Sequence, residues 1–205
     1  MFVTFEGTEG SGKTTQCQPL QEYLVEQGHD VLWTREPGGT SIGQQVREVL
    51  FDQRNNAMTP EAEFLLFSAS RAQLVREVIK PHLKRGGVVV CDRFFDSSLA
   101  YQGYGHGLEQ DVLREVTRMA TGGLRPNLSL LLDLPPEQGL RRRRQDRDQW
   151  NRLDAYQLSF HSRVRQGFLA LARDEPDRWE VIDANQNSED IFDSVRVLVD
   201  GLQSS

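Results

Sequence analysis

Short apolar runs punctuate this chain, and helical patterns fill the spaces between them. Phe2-Val3-Thr4-Phe5, Val31-Leu32-Trp33-Thr34, Val88-Val89-Val90-Cys91, Leu128 to Leu132 and Trp179 to Ile182 predict five short strands. Amphipathic stretches predict helices at 13–26, where Leu20, Tyr23 and Leu24 have helical spacing, and at 41–51, 60–84, 109–121, 136–146, 153–174 and 188–202. Strands that alternate with helices make βαβ units, with right-handed crossovers and a buried parallel sheet. The expected fold class is therefore α/β, a three-layer sandwich whose five-stranded parallel sheet is flanked by helices. No internal repeat or linker interrupts the pattern, so residues 1–205 form one domain. The polar stretch 52–58 reads as a loop, and Ser204 and Ser205 as a frayed end.

Composition narrows the classes. The chain has 205 residues, 38 % hydrophobic and 26 % charged, enough for one sizeable core. A net charge of −6 argues against a nucleic-acid surface. Two cysteines, Cys17 and Cys91, build no disulfide framework and suit a reducing compartment. No apolar run approaches about 18 residues, so no membrane span is expected. With no export signal ahead of the first strand, the expected location is the cytoplasm.

Candidate chemistry begins directly after the first strand. Gly7-Thr8-Glu9-Gly10-Ser11-Gly12-Lys13-Thr14 fits the phosphate-loop pattern, between a strand and a helix as that motif requires. Its glycines let backbone N–H groups converge on an anion, and the helix N-terminus adds a favourable dipole. Lys13 would reach the β/γ-phosphates of a bound nucleotide and Thr14 would hold Mg²⁺. Asp92 ends the third strand and reads as the second acidic support for the metal, with Arg93 facing the same crevice. Arg35 ends the second strand, ahead of the sharp Pro37-Gly38-Gly39 turn. Phe67 and Arg71 share one helix face. Arg141, Arg142, Arg143, Arg144 and Arg147 crowd one segment. On a helix they point in all directions, and Arg143 and Arg147 share a face. Such a segment either stays solvated or closes over the nucleotide. A lid at about 136–152, mobile without ligand, is the functional expectation.

Together these segments are similar to those of the thymidylate kinase family. The resemblance rests on GTEGSGKT at 7–14, TREPGGT at 34–40, Phe67-Ser68-Ala69-Ser70-Arg71, and Asp92-Arg93 followed by Ser97-Ser98-Leu99-Ala100-Tyr101-Gln102. It covers essentially the whole chain and looks like the bacterial type, in which the segment at 141–147 supplies the catalytic arginine. Val181 to Gln186 resembles the family's adenine-side loop. The resemblance implies the phosphate-loop NTPase fold of nucleoside monophosphate kinases and transfer from ATP to dTMP with Mg²⁺, by a homodimer. It assigns ATP to Gly7, Thr8, Glu9, Gly10, Ser11, Gly12, Lys13, Thr14, Thr15 and Ala184, and the metal to Thr14 and Asp92. It assigns dTMP to Glu9 at the sugar hydroxyl, Arg35 and Arg93 at the phosphate, Phe67 stacked on thymine and Arg71 at its O4. Ser97, Ser98 and Gln102 line that pocket, and Tyr101 crowds the 2′ position. Lys13, Arg35, Arg93, Arg143 and Arg147 become the catalytic set.

Elementary chemistry agrees with this assignment. A donor at the base's 4-position suits thymine O4 and meets cytosine's amino group badly. The acceptor is a phosphate with a second pKa near about 6, mostly ionised at neutral pH, so no general base is required. Other readings are a different (deoxy)nucleoside monophosphate kinase, a deoxynucleoside kinase, or a non-catalytic nucleotide switch. A switch needs a water-positioning residue, and no candidate for one stands out.

Overall fold

The computed structural model describes residues 1–145 and 151–203. The five expected strands are present: β1 (Phe2–Glu6), β2 (Val31–Arg35), β3 (Val88–Asp92), β4 (Leu128–Asp133) and β5 (Trp179–Asp183). They form one parallel sheet in the order β2-β3-β1-β4-β5. Strands β1 and β3 are buried along their whole length, as continuous apolar runs require in a parallel sheet covered on both faces. Alternation divides the core into two layers. Phe2, Val89, Cys91 and Leu131 face one cluster, and Val3, Phe5, Val90 and Leu130 the other.

The second cluster is closed by α1 (Lys13–Glu26) and α9 (Ser188–Gln203). The first is closed by α3 (Pro60–Leu74), α5 (Phe95–Ser98), α6 (Gln110–Thr121) and α8 (Leu158–Asp174). α2 (Ser41–Phe51) packs on α3. Thr40 and Thr59 cap α2 and α3 by accepting from the N–H groups of Gly43 and Ala62.

The helix expected over 60–84 is continuous but runs through a π-helical segment, Val75–Ile79, before α4 (Lys80–Lys84). The stretch expected at 153–174 is divided: a 3₁₀ turn at Leu153–Ala155 precedes α8. α7 spans Pro136–Gln145. Asp146 and Arg147 lie outside the described residues. The sequence pattern missed the helical run of α5 and its π-helical continuation, Leu99–Gly105. Ten of its eleven residues are buried, so no polar face marks a period.

Candidate active site

β1 lies where the sheet order reverses, with β2 and β3 on one side and β4 and β5 on the other. In an open parallel sheet, ligands bind at such a point, beyond the carboxyl ends of the strands. The loop between β1 and α1 occupies it, beside a cleft of about 1470 Å³. A single-ligand pocket holds roughly 300–1,000 Å³, so the cleft has room for two nucleotides.

Gly12 caps α1 with φ 92°, a left-handed conformation in which a side chain is strained. Gly10 packs so close to α7 that a Cβ would lie 2.3 Å from the Gly139 carbonyl oxygen. This contact seats α7 on the phosphate loop. Lys13 is buried, and its Nζ donates to the Gly7 and Thr8 carbonyls at 3.2 and 2.8 Å and to Ser11 Oγ at 3.3 Å. Burial, with a contribution from Arg93, lowers its pKa to about 8. Thr14 Oγ1 donates to Asp92 Oδ2 at 2.5 Å, so the two expected metal residues are in contact. Thr15 is exposed on the cleft wall. Ala184 is buried, and its carbonyl accepts from Arg142 at 3.5 Å.

The other half of the cleft is built on the turn after β3. Arg93 has φ 69°, strained for a non-glycine residue. That conformation turns its guanidinium across the cleft. Nη1 donates to the Gly7 carbonyl at 2.8 Å and Ser97 Oγ at 3.0 Å. Nη2 donates to Glu9 Oε1 at 3.0 Å and Tyr101 Oη at 3.2 Å. Tyr101 also donates to Glu9 Oε2. Burial pushes the Glu9 carboxyl up, but Arg93, His161 and Lys13 outweigh it and hold Glu9 well below the usual carboxylate range. Edge contacts to Phe160 and Phe168 fix the Tyr101 ring. Beneath the turn, buried Glu6 accepts from the Phe94 N–H at 2.8 Å and from Ser97 Oγ at 2.5 Å. Burial and neighbouring Asp96 raise its pKa to about 8.

At the closed end stands Arg71, 1 % exposed. Its Nε donates to Glu36 Oε2 at 2.8 Å and its Nη2 to Ser98 Oγ at 3.0 Å. Burial raises the Glu36 carboxyl to about 7 against the pull of Arg71. Phe67 is half-buried on the cleft wall, whereas Phe64, one turn earlier, is core. Arg35 is exposed at the cleft rim, and Glu36–Pro37 is a cis peptide.

Among the described residues, two of the arginine-rich segment line the cleft. Arg142 Nη1 donates to the Gly10 carbonyl at 3.3 Å. Arg143 forms a two-pronged pair with buried Asp154, at 3.1 and 2.8 Å. Arg141 is exposed, and Arg147 lies outside the described residues.

The structure also adds residues that sequence reasoning passed over. Glu36 lay inside a segment already singled out, but its partner is 35 positions away. Arg47 lines the cleft beside Arg35, with its pKa lowered to about 10 by burial and by that neighbour. Glu63 is buried and accepts from Gln102 and Arg152. The spacing 63, 67, 71 places it on the Phe67–Arg71 face, a signal that was available.

Known proteins resemble this arrangement closely. The family model described as thymidylate kinase matches residues 5–195. A thymidylate kinase of Deinococcus radiodurans is 54 % identical, over 93 % of this chain and 92 % of that protein. One from Herpetosiphon aurantiacus is 47 % identical over 97 % and 94 %. A crystal structure of thymidylate kinase from Ehrlichia chaffeensis superposes with a TM-score of 0.77 at 34 % identity, covering 97 % of this chain and 98 % of that one. Matched along almost its whole length, in sequence and in fold, the chain belongs to the thymidylate kinase family.

Proposed function

We propose that the chain transfers the γ-phosphoryl group of ATP to dTMP, giving ADP and dTDP, as the names of its relatives indicate. The observation that carries this reading is the divided cleft. A phosphate loop with a buried lysine fills one half, and a Glu9–Arg93–Tyr101 cluster and the end lined by Arg71 and Phe67 fill the other. Arg93 bonds to the Gly7 carbonyl where the halves meet.

The donor set suits Mg²⁺. Thr14 and Asp92 offer one hydroxyl and one carboxylate in contact and would hold the ion, which would supply charge neutralisation for the transferring phosphates. Lys13 holds the donor's phosphates, while Arg93 and Arg35 hold the acceptor's. Glu9, kept ionised, accepts from the sugar's 3′-hydroxyl, and the fixed Tyr101 ring leaves no space for a 2′-hydroxyl. The acceptor phosphate is already a nucleophile, so the protein's task is to bring two anions together and compensate their charge. A homodimer joined through α2, α3 and α6 completes the proposal. Exposed Leu65, Val112 and Met119 on α3 and α6 support it. The cytoplasm is the proposed location, where Cys17 and Cys91 stay free thiols.

A panel of nucleoside monophosphates in one coupled ADP-release assay tests the function. dTMP should give the highest kcat/KM. Preference for another monophosphate would move the chain to a different kinase specificity, and ADP release indifferent to every acceptor would favour a nucleotide switch.

Two outcomes probe the roles. Ionised Glu36 anchors Arg71, and its pKa of about 7 means the anchor's charge is lost as pH falls through neutrality. Thymidine, which carries no phosphate to titrate, should bind about three- to tenfold more weakly at pH 6 than at pH 8. Calorimetry should show that dependence disappear in Glu36→Gln. Separately, replacing Arg143 and Arg147 together by Ala should lower kcat about a hundredfold and change KM for dTMP less than about threefold. Steady-state kinetics with both substrates varied separates the two effects. An unchanged kcat would remove both arginines from the chemistry and leave Arg143 as the ion-pair partner of Asp154.

A further inference from the structure

Directly beneath the Arg93 turn, a buried acid ends the central strand: Glu6, the last residue of β1, is 0 % exposed. A carboxyl in that place costs free energy that an apolar side chain would not. The strand register shows what it does there. Phe5 pairs with Asp92, and the Phe5 carbonyl accepts from the Arg93 N–H at 3.0 Å, so β3 follows β1 as far as Arg93. Arg93 then takes φ 69° and the chain leaves the sheet. The next backbone donor, the buried Phe94 N–H, is taken by Glu6 Oε1 at 2.8 Å in place of a strand carbonyl. Glu6 Oε2 accepts from Ser97 Oγ at 2.5 Å, and Ser97 Oγ accepts from Arg93 Nη1 at 3.0 Å. One carboxyl therefore holds both the backbone that follows Arg93 and the hydroxyl that receives its guanidinium. A left-handed non-glycine residue persists only where its surroundings hold it. Ion pairing does not account for the acid. Asp96 faces Glu6 from α5, and Arg178 forks onto Asp96, at 2.8 and 2.7 Å, rather than onto Glu6. Buried beside that charge, Glu6 carries its proton at neutral pH, so its reach rather than its charge makes the contacts.

We propose that Glu6 is a positioning residue for the acceptor's phosphate: by fastening the Phe94 N–H and the Ser97 hydroxyl, it holds Arg93 in the left-handed conformation that aims its guanidinium across the cleft. This rests on Arg93 binding the phosphate of dTMP, as in the function proposed above. Glu6 lies under the turn and does not line the cleft, so it acts through Arg93 rather than on a substrate.

Calorimetry with dTMP and with thymidine, which lacks the phosphate, tests this. Glu6→Leu keeps the size and drops both bonds, so dTMP should bind about ten- to a hundredfold more weakly. Thymidine affinity and KM for ATP should change less than about threefold, because neither depends on where Arg93 points. Glu6→Asp keeps the acid but falls one methylene short of Phe94 and Ser97, and should weaken dTMP about tenfold. Glu6→Gln loses the acid but keeps the reach, with Oε1 for the Phe94 N–H and Nε2 for Ser97 Oγ. It should bind dTMP within about threefold of wild type. Should Glu6→Leu fail to fold, Glu6→Asp and Glu6→Gln decide. Wild-type affinity for dTMP in folded Glu6→Leu or Glu6→Asp overturns the proposal. So does an equal loss of thymidine affinity, which marks a general defect of the fold, and so does a Glu6→Gln protein that binds dTMP as weakly as Glu6→Asp. Wild-type enzyme that does not use dTMP would instead overturn the function proposed above.

Discussion

Replacing Lys13 by alanine should cut kcat about a thousandfold while leaving the fold intact. The ammonium is held by the loop's own oxygens, the Gly7 and Thr8 carbonyls and Ser11 Oγ. A polyphosphate offers it far more negative charge, and most of all while the γ-phosphoryl group is in transit. No other residue of the loop carries a positive charge to replace it. Stability should not suffer. The lysine's pKa falls from 10.5 to about 8 on folding, so the folded state penalises the charged form. That penalty is full below pH 8, fades between pH 8 and 10.5 and is gone above, so at neutral pH the truncation removes an unfavourable charge. The same shift predicts an alkaline limb near pH 8 in kcat/KM for ATP. It should be absent from kcat, because bound nucleotide restores the ammonium. Single-turnover kinetics and a melting curve check both halves. A folded variant with near-normal kcat would remove Lys13 from the chemistry.

The contrast between Lys13 and Glu63 shows what the sequence made legible. A phosphate loop is written in backbone conformations that only glycine adopts readily and in a lysine at fixed spacing, so it can be read locally. The central strands β1, β3 and β4 were legible for a similar reason: each is a mostly apolar run buried on both faces, while the edge strands β2 and β5, more exposed, were legible from shorter apolar stretches between helical patterns. The run Phe95–Gly105 was not, because a helix buried all round has no amphipathic signature. Yet this run carries Ser97, Ser98, Tyr101 and Gln102, which explains why family motifs placed them when periodicity did not. Glu36 and Glu63 were hidden differently. Each is a buried acid whose meaning lies in a partner 35 to 89 positions away: Arg71 for one, Gln102 and Arg152 for the other. The residues expected to touch ligands stood out in the chain, but those that aim them emerged only from the fold.

Arg93→Ala should have the second large effect, lowering kcat/KM for dTMP at least a thousandfold. Arg93 joins four groups at once: the Gly7 carbonyl, Ser97, Glu9 and Tyr101. Its loss removes the acceptor-phosphate contact and also leaves the buried Glu9 carboxylate without its main cation. Arg93→Lys should recover little, since one ammonium cannot span the two branches of the fork. Stability should fall in a pH-dependent way. The Glu9 carboxyl is held below its ordinary 4.5 in the folded protein, so its ionised form stabilises the fold above that pH. Without Arg93 that contribution shrinks. The gap in melting temperature from wild type should be largest at neutral pH and close as pH falls below about 4.5. Arg93→Gly separates backbone from side chain. At φ 69° glycine is unstrained, so this variant should be about 1 kcal/mol more stable than Arg93→Ala yet equally inactive. Recovery of activity to within about tenfold of wild type by Arg93→Gly would show that the turn, and not the side chain, is what the site requires, and the same recovery by Arg93→Lys would show that a single positive charge suffices without the fork.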